Sequence, residues 1–131
     1  MKTFSKEERL CSRRSLDLLF KNGSSFLLYP FRISYIYVSE PVVAPVQVVI
    51  NVSKKRYKRA VDRNVIKRRS REAYRLHKQE YLYNLLKPSS QLLLLSIQFI
   101  GKQKYEFDFM EKKMINMFRK LQTLLKDHES N

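Results

Sequence analysis

The stretch that decides the fold is AVDRNVIKRRSREA, residues 60–73. Its apolar residues recur at helical spacing, and we predict one long helix from about Ala60 to about Leu85. Lys87-Pro88-Ser89-Ser90 ends this helix, because a proline disfavours helical backbone at the residue before it. A helix of this length needs one buried face, and the segments on either side of it supply the strands that cover that face.

Positive charge is concentrated on the same segment. Residues 54–78 contain twelve Lys and Arg against Asp62 and Glu72, a net +10 of the chain's total of +15. At 100° per residue, one group of cations falls within a third of the helix circumference, and an apolar group falls opposite. The cations are Arg63, Lys67, Arg71, Arg75 and Lys78, with Asn64 and Arg68 beside them, and the apolar group is Val61, Val65, Ile66, Ala73 and Leu76.

A row of cations spaced about 5–6 Å apart along a helix suits the phosphates of a polyanion. Arginine outnumbers lysine in this row, which favours bidentate phosphate or guanine contacts over simple neutralisation. A solvated helical face is the alternative, but aligned like charges without acidic partners destabilise a helix. Arg69 alone falls on the apolar side, where we expect Asp62 and Glu72 to pair with it. The pattern predicts a phosphate-binding helix face.

The residues before this helix predict a shorter helix and three strands. The short helix ends at Asn22-Gly23 and begins either at a Ser5-x-x-Glu8 capping box or at Ser12. A first extended segment, Phe26–Val38, is broken or bulged at Pro30, and a second strand covers Val46–Ser53. The expected apolar face of the short helix is Leu16, Leu19 and Phe20, and the alternating strand residues are Phe31, Ile33, Tyr35 and Tyr37.

The residues after Pro88 predict a strand and a helix. Leu92–Ile100 is apolar on both faces, which is typical of a central strand. Asp108 opens a helix in which Met110, Met114, Met117, Leu121 and Leu124 fall at helical spacing. The order α-β-β-β-α-β-α predicts an α+β sandwich, with helices packed on a small, mostly four-stranded sheet. We expect a single domain over residues 1–131, with about 1–8 and 126–131 frayed.

Composition excludes several classes of protein. With two glycines, one cysteine and two histidines, the chain cannot build a glycine-rich phosphate loop, a disulfide or a cysteine-based zinc cluster. A histidine-based metal site or catalytic triad is disfavoured, and we place no carboxylate pair in a shared site. The N-terminus lacks the apolar segment of a secretory signal, and no apolar run is long enough to span a membrane. We expect a cytoplasmic protein that is not a catalyst by itself.

A second set of residues predicts contact with unpaired bases. Phe31, Tyr35 and Tyr37 are able to stack on bases, although each is equally explained as core. Lys54-Lys55 lies between the second strand and the basic helix, so strand and helix together form a groove for a single strand. Both readings of the aromatic residues stay open at this level.

Beyond these patterns, the chain resembles the protein component of bacterial ribonuclease P. The family's helix carries an Arg-Asn pair, Lys-Arg and a further Arg, preceded by Ser-Lys-Lys at the end of a strand. Here these are Arg63-Asn64, Lys67-Arg68, Arg71 and Ser53-Lys54-Lys55. Phe20-Lys21-Asn22-Gly23 is similar to the end of the family's first helix, and the similarity spans most of residues 10–125.

The resemblance implies a small basic subunit that binds the catalytic RNA subunit and the single-stranded 5′ leader of precursor tRNA. The ribonucleoprotein removes the leader by hydrolysis, with Mg²⁺ held chiefly by the RNA and none bound by the protein. The family also implies a left-handed crossover between the last two strands, against the usual rule. The implied RNA contacts are Lys54, Lys55, Arg63, Asn64, Lys67, Arg68, Arg71 and Arg75, and the implied leader cleft is Phe20, Phe31, Tyr35 and Lys54.

The chain departs from the family at two positions. Lys58-Arg59 stands where the family commonly has a glycine before the long helix, and Leu16 stands where the first helix often has an aromatic residue. The alternative function is that of a ribosomal or other structured-RNA-binding assembly protein, which would have no role in tRNA maturation. A membrane-surface protein, a sequence-specific DNA binder and a self-sufficient nuclease are each disfavoured, and the oligomeric state stays open.

Overall fold

The computed structural model describes residues 4–39, 44–86 and 91–129, and within them three helices and four strands form an α+β fold. The predicted terminator at residues 87–90 lies outside these ranges. Single-turn 3₁₀ helices cover Lys6–Glu8 and Tyr83–Leu85. The principal elements are α1 (Arg13–Asn22), β1 (Ser24–Leu28), β2 (Phe31–Ser39), β3 (Val46–Val52), α2 (Ala60–Tyr81), β4 (Gln91–Phe99) and α3 (Phe107–Glu129).

The four strands form one mixed sheet in the order β1-β2-β4-β3. β2 pairs with β1 and β4 antiparallel, whereas β3 and β4 run parallel and are connected through α2. β4 is therefore central, as its apolar composition predicted, and six consecutive residues of it, 92–97, are buried. β1 and β2 are joined at Tyr29-Pro30, where the extended segment was expected to break.

The two faces of the sheet carry different helices. α2 and α3 pack on the larger core, which contains Phe31, Ile33 and the methionines of α3. α1 packs on the opposite face against a smaller cluster that includes Leu19, Leu92 and Leu94. Leu19 lies on the buried side of α1, but Phe20, expected on the same apolar face, is 59% exposed. α1 thus covers only part of its face of the sheet.

The residues just before α1 contact the edge of the sheet. Leu10 donates its backbone N–H to the Val48 carbonyl at the outer edge of β3, at 2.9 Å. Ser12, not Ser5, caps α1, because its hydroxyl accepts the N–H of Ser15 at 3.3 Å. The end of α1 at Asn22-Gly23 is confirmed, and a Cβ on Gly23 would lie 2.4 Å from the Leu19 carbonyl oxygen. Only glycine fits this close turn.

The buried face of α2 is rotated from the one predicted. Val61, assigned to the apolar face, is 64% exposed, whereas Lys78, assigned to the cationic row, is 2% exposed. The difference is about 100°, the angle of one residue step. Polar groups account for it, because the buried face includes a serine and a tyrosine that a hydropathy pattern counts as outward-facing. The buried residues are Ile66, Ser70, Ala73, Tyr74 and Lys78.

Candidate nucleic-acid interface

The exposed side of α2 carries a smaller cationic surface than the sequence predicted. Asn64, Arg68 and Arg71 are exposed, and Lys67 is half-buried beside them. No side chain of these four has a hydrogen-bonding or ionic partner among the residues that the structure describes. We call these four residues the α2 arginine surface. Their charged and amide groups are available to a polyanion.

Other cations expected in the row are engaged within the fold. Arg63 donates from Nη1 to the carbonyls of Tyr57 and Lys58, at 2.7 and 2.8 Å. Arg75 forms a bidentate ion pair with Glu72, with contacts of 2.5 and 3.1 Å. This pair lowers the pKa of the Glu72 carboxyl, chiefly through the hydrogen bond from Arg75. The row of cations predicted on α2 therefore contains two kinds of residue. Arg63 and Arg75 are bonded within the fold, and the cations of the α2 arginine surface are not bonded to any residue that the structure describes.

The pairing predicted for Arg69 is wrong. Arg69 donates to the Tyr105 carbonyl at 2.6 Å, which links α2 to the segment before α3. Asp62 instead pairs with Lys104 at 2.9 Å. The spacing of residues along α2 could not predict these partners, because Tyr105 and Lys104 belong to a segment about 40 residues away.

Lys54 and Lys55 are exposed in the turn that follows β3. The Ser53 hydroxyl accepts the backbone N–H of Lys55 at 3.2 Å, which fixes the first part of this turn. Arg63 holds its last part through the Lys58 carbonyl, where the family commonly has glycine. The two lysines lie beyond the C-terminal end of β3, so they extend the cationic surface of α2 toward the end of the sheet.

The sheet face that carries α1 is open over its other half. Two cross-strand rows of side chains lie there, and we call them the open half-face, although Ser96 at its floor is 3% exposed and Val49 packs against the α1 cluster. Residues paired across neighbouring strands point to the same side of the sheet. By register, the rows are Val49-Ser96-Ser34-Ser25 and Asn51-Gln98-Arg32-Leu27, in the strand order β3-β4-β2-β1.

A cavity of about 480 Å³ lies over this half-face. Phe20 borders it from the end of α1, and Arg32 and Leu27 border it from the strands. All three side chains are exposed, Leu27 to 57% and Phe20 to 59%. An aromatic ring, an apolar side chain and a guanidinium beside hydroxyl and amide groups suit a nucleic-acid strand with unpaired bases.

Two residues expected in this cleft face the other way. Phe31 is fully buried in the core beneath α2 and α3, and its ring packs edge-on against Phe99 at 6.1 Å. Tyr35 belongs to the same core face and packs against Phe26 at 6.2 Å. Successive residues of a strand alternate between faces, so Phe20 shares its side with the even-numbered residues of β2. Arg32 and Ser34 occupy the positions expected for Phe31 and Tyr35.

Four residues of the open half-face were not predicted as site residues, although their polarity in the sequence gave a signal. Ser96 and Gln98 are polar at alternate positions of a strand that is otherwise apolar. On a central strand, alternate polar residues indicate a face that is not covered by a helix. Arg32 and Ser34 give the same signal on β2. Together they indicate the open half-face.

Two other features of the site concern metals and membranes. Within the ranges 4–39, 44–86 and 91–129, no group of three or more His, Cys, Asp or Glu residues is placed to hold a metal ion. None of the helices there has the length and apolar composition to cross a bilayer.

Cys11 is exposed as a free thiol, and His77 lies 2.9 Å from Glu111 between α2 and α3.

An exposed arginine surface on a long helix, adjoining lysines and a half-open sheet face define a small basic nucleic-acid-binding protein of the α+β class. The family model for ribonuclease P matches residues 4–122, and the chain belongs to this family. Relatives in two strains of Porphyromonas gingivalis, each described as ribonuclease P protein component, are 36% identical over 110 residues. The match covers 84% of this chain and 80% of each relative.

Solved structures show the same fold. The ribonuclease P protein from Thermotoga maritima superposes with a TM-score of 0.64 at 22% identity, covering 86% of this chain and 96% of that chain. The protein from Staphylococcus aureus gives 0.61 at 18% identity, covering 86% and 93%. Membership of the family makes the chain a protein subunit of an endoribonuclease ribonucleoprotein in tRNA processing. The alternative of an assembly protein without a role in tRNA maturation receives no support.

Proposed function

We propose that the protein binds the catalytic RNA subunit through the α2 arginine surface with Lys54 and Lys55, and the 5′ leader of precursor tRNA in the open half-face. Mg²⁺ is held chiefly by the RNA, and the protein acts in the cytoplasm. The protein contributes affinity and position, and the RNA performs the hydrolysis. Arg63 and Arg75, expected as RNA contacts, keep their internal partners in this arrangement.

The observation that carries the leader site is the open half-face beside the exposed ring of Phe20. Its two rows are about 7 Å apart and span four strands, a width of about 14 Å. These dimensions admit one strand, and the exposed ring of Phe20 suits stacking on its unpaired bases. Arg32 supplies a cation inside the cleft, and Ser34 and Gln98 supply hydrogen-bonding groups. The site thus suits a single strand whose bases are unpaired.

The observation that supports the RNA-subunit site is the set of open cations. Each phosphate neutralised on a single strand contributes about 0.7 to the slope of log affinity against log salt, and each on a duplex about 0.9. Lys67, Arg68 and Arg71 lie on one side of α2, with Lys54 and Lys55 in the adjoining turn. The expected slope for the RNA subunit is therefore near 4, the sum over about five contacts.

The experiment separates the two sites in the reconstituted holoenzyme. Phe20→Ala should weaken binding of precursor tRNA by about 5- to 100-fold with a long leader, and not with a one-nucleotide leader, because base stacking contributes ~1–3 kcal/mol. Arg68→Gln with Arg71→Gln should weaken binding of the RNA subunit and reduce its salt slope by nearly 2, whatever the leader length. Leu18→Ala is the control for Phe20, since Leu18 is a 38% exposed side chain on the same helix.

Two results would contradict the assignment. If Phe20→Ala and Leu18→Ala weaken long-leader and short-leader substrates equally, the half-face does not bind the leader. If the double arginine variant keeps the wild-type salt slope, α2 does not face the RNA subunit. Cleavage of precursor tRNA at its mature 5′ end, with and without the protein at low Mg²⁺, provides the common functional readout.

A further inference from the structure

An exposed tyrosine lies just beyond the open half-face. Tyr29 follows Leu27 by two residues at the end of β1, and its side chain is 43% exposed. The Tyr29 Oη accepts the backbone N–H of Lys102 at 3.0 Å and lies 2.7 Å from the Tyr105 Oη. Both ring and hydroxyl are therefore held in place at the end of the sheet.

The group around Tyr29 is rigidly supported. Tyr105 stacks on Phe109 with ring centroids 4.3 Å apart, and its carbonyl accepts the Arg69 guanidinium. The Tyr29 and Tyr105 rings meet edge to face, 6.0 Å apart at 83°. We call Tyr29 and Tyr105 the tyrosine platform. A ring that is fixed before binding loses little conformational entropy when a base stacks on it.

The platform also lies in a positive field. Hydrogen bonds with the Tyr105 hydroxyl and the Lys102 N–H lower the pKa of the Tyr29 phenol, and the positive charges of Lys102 and Arg56 lower it further. In the described part of the chain, neither the Arg56 guanidinium nor the Lys102 ammonium pairs with a carboxylate. Asp62, the nearby acidic residue, is paired with Lys104. The surface thus combines an exposed ring with open cations, the combination that binds single-stranded nucleic acid.

We propose that the tyrosine platform is a second leader site, where the RNA strand that leaves the open half-face past Leu27 stacks a further base on Tyr29 and places its phosphate between Arg56 and Lys102. The inference rests on the proposed leader site. Phe20, Leu27 and Tyr29 are three exposed side chains: the first two border the cleft, and Tyr29 lies in the turn just past the end of β1. The protein accordingly binds a longer leader than the cleft alone accommodates.

The first test uses the holoenzyme and precursor tRNAs whose leaders lengthen one nucleotide at a time. In the wild type, affinity should rise in steps, with a last step at the nucleotide that reaches Tyr29. Tyr29→Ala should remove that last step, a loss of about 5- to 10-fold, and keep the earlier ones. Tyr29→Phe should keep most of the step, because the ring still stacks and still packs edge to face on Tyr105 without its hydroxyl. Lys102→Gln should reduce the salt slope by about 0.7, and Lys112→Gln, which removes an exposed charge from α3, should not.

The second test places 2-aminopurine, a fluorescent base, at successive leader positions. Stacking quenches its emission, and Tyr29→Ala should restore emission at one position only. A thermal melt of the variant checks that the fold is retained.

The outcomes distinguish this inference from the leader site on which it rests. If the wild type shows no dependence on leader length, the open half-face does not bind the leader and both proposals fail. If the dependence is present but Tyr29→Ala retains every step and every quenched position, the platform alone is refuted. If Tyr29→Ala weakens binding equally for all leaders, the platform contacts the RNA subunit or the mature tRNA, and the second leader site is also refuted.

Discussion

Replacing Lys78 tests whether a lysine on the basic helix serves the fold rather than RNA binding. Lys78 is 2% exposed, and its ammonium contacts the Glu8 carboxylate of the N-terminal segment. The same ammonium lies about 5.5 Å from the ring centroids of Phe4 and Tyr83. Lys78→Gln leaves Glu8, whose side chain is 12% exposed, without its opposite charge. Uncompensated buried charge is strongly destabilising.

The magnitude follows from this burial. Removing one member of a buried ion pair costs about 3–5 kcal/mol, and because Glu8 is partly exposed the cost of Lys78→Gln should be about 3 kcal/mol. With a urea m-value of about 2 kcal/mol per molar, the unfolding midpoint should fall by about 1.5 M. The affinity of the folded variant for RNA should be unchanged, because the ammonium does not reach the surface.

Arg71→Gln is the matched control, since it removes one exposed positive charge from the same helix. Its free energy of unfolding should stay within about 0.5 kcal/mol of the wild-type value, whereas its RNA affinity and salt slope should fall. Glu8→Leu combined with Lys78→Met should recover much of the lost stability, because no charge is then left buried. An unchanged midpoint for Lys78→Gln, together with an RNA defect as large as that of Arg71→Gln, would refute the reasoning.

Two further predictions concern hydrogen bonds and buried phenols. Arg63→Ala should lower the free energy of unfolding by about 1.5 kcal/mol in a urea titration, because the carbonyls of Tyr57 and Lys58 lose a charged donor; an unchanged value would show that the turn before α2 does not need Arg63. Burial raises the pKa values of the Tyr74 and Tyr83 phenols above the ordinary 10.0, so in an ultraviolet titration of the folded protein both should lose their protons at a higher pH than exposed tyrosines do. Because the unfolded chain releases these protons near pH 10, the stability that they contribute is complete below pH 10 and falls above it. Tyr83→Phe should reduce this alkaline loss of stability. An alkaline stability profile identical to that of the wild type would show that the Tyr83 phenol is not responsible.

The fold was predictable because its elements have clear periodicity. The period-two pattern of β3, the apolar character of β4 and the methionine stripe of α3 each predicted an element that the structure contains. The Tyr29-Pro30 turn and the end of α1 at Gly23 were also marked by their residue types. Strand order was less accessible, since β4 lies between β2 and β3 and its partners are distant in the sequence.

The orientation of α2 was not predictable from hydropathy. Tyr74 is completely buried, and Lys78 is buried because Glu8, 70 residues away along the chain, supplies its charge partner. A helical wheel contains no information on such a partner, so it assigns a lysine to solvent. The error affected the predicted site directly, because it placed Lys78 in the phosphate row. Exposure, rather than charge, separates Arg68 and Arg71 from Lys78.

The faces of Phe31 and Tyr35 could not be predicted from their residue types, for a different reason. Aromatic residues suit both a core and a stacking surface, and the sequence around Phe31 and Tyr35 does not distinguish these uses. The position along the strand distinguishes them, because successive residues of a strand point to opposite faces. Phe31 and Tyr35 therefore share the face of Ile33, which is fully buried. Arg32 and Ser34 must then face the opposite side, where Phe20 lies.

The open half-face is explained by the length of α1 and by the polarity of β4. α1 has ten residues and is about 15 Å long, whereas the nine residues of β4 extend about 30 Å, so α1 can cover at most half of its face. Extending the helix over the other half would bury Gln98 and Arg32 without partners, at a cost of several kcal/mol. In the described part of the chain, the Asn51 Oδ1 beside Gln98 already lacks a hydrogen-bond partner. These polar residues therefore disfavour a helix over the half-face, and the exposed Arg32 with the half-exposed Ser34 and Gln98 keeps hydrogen-bonding groups at its surface.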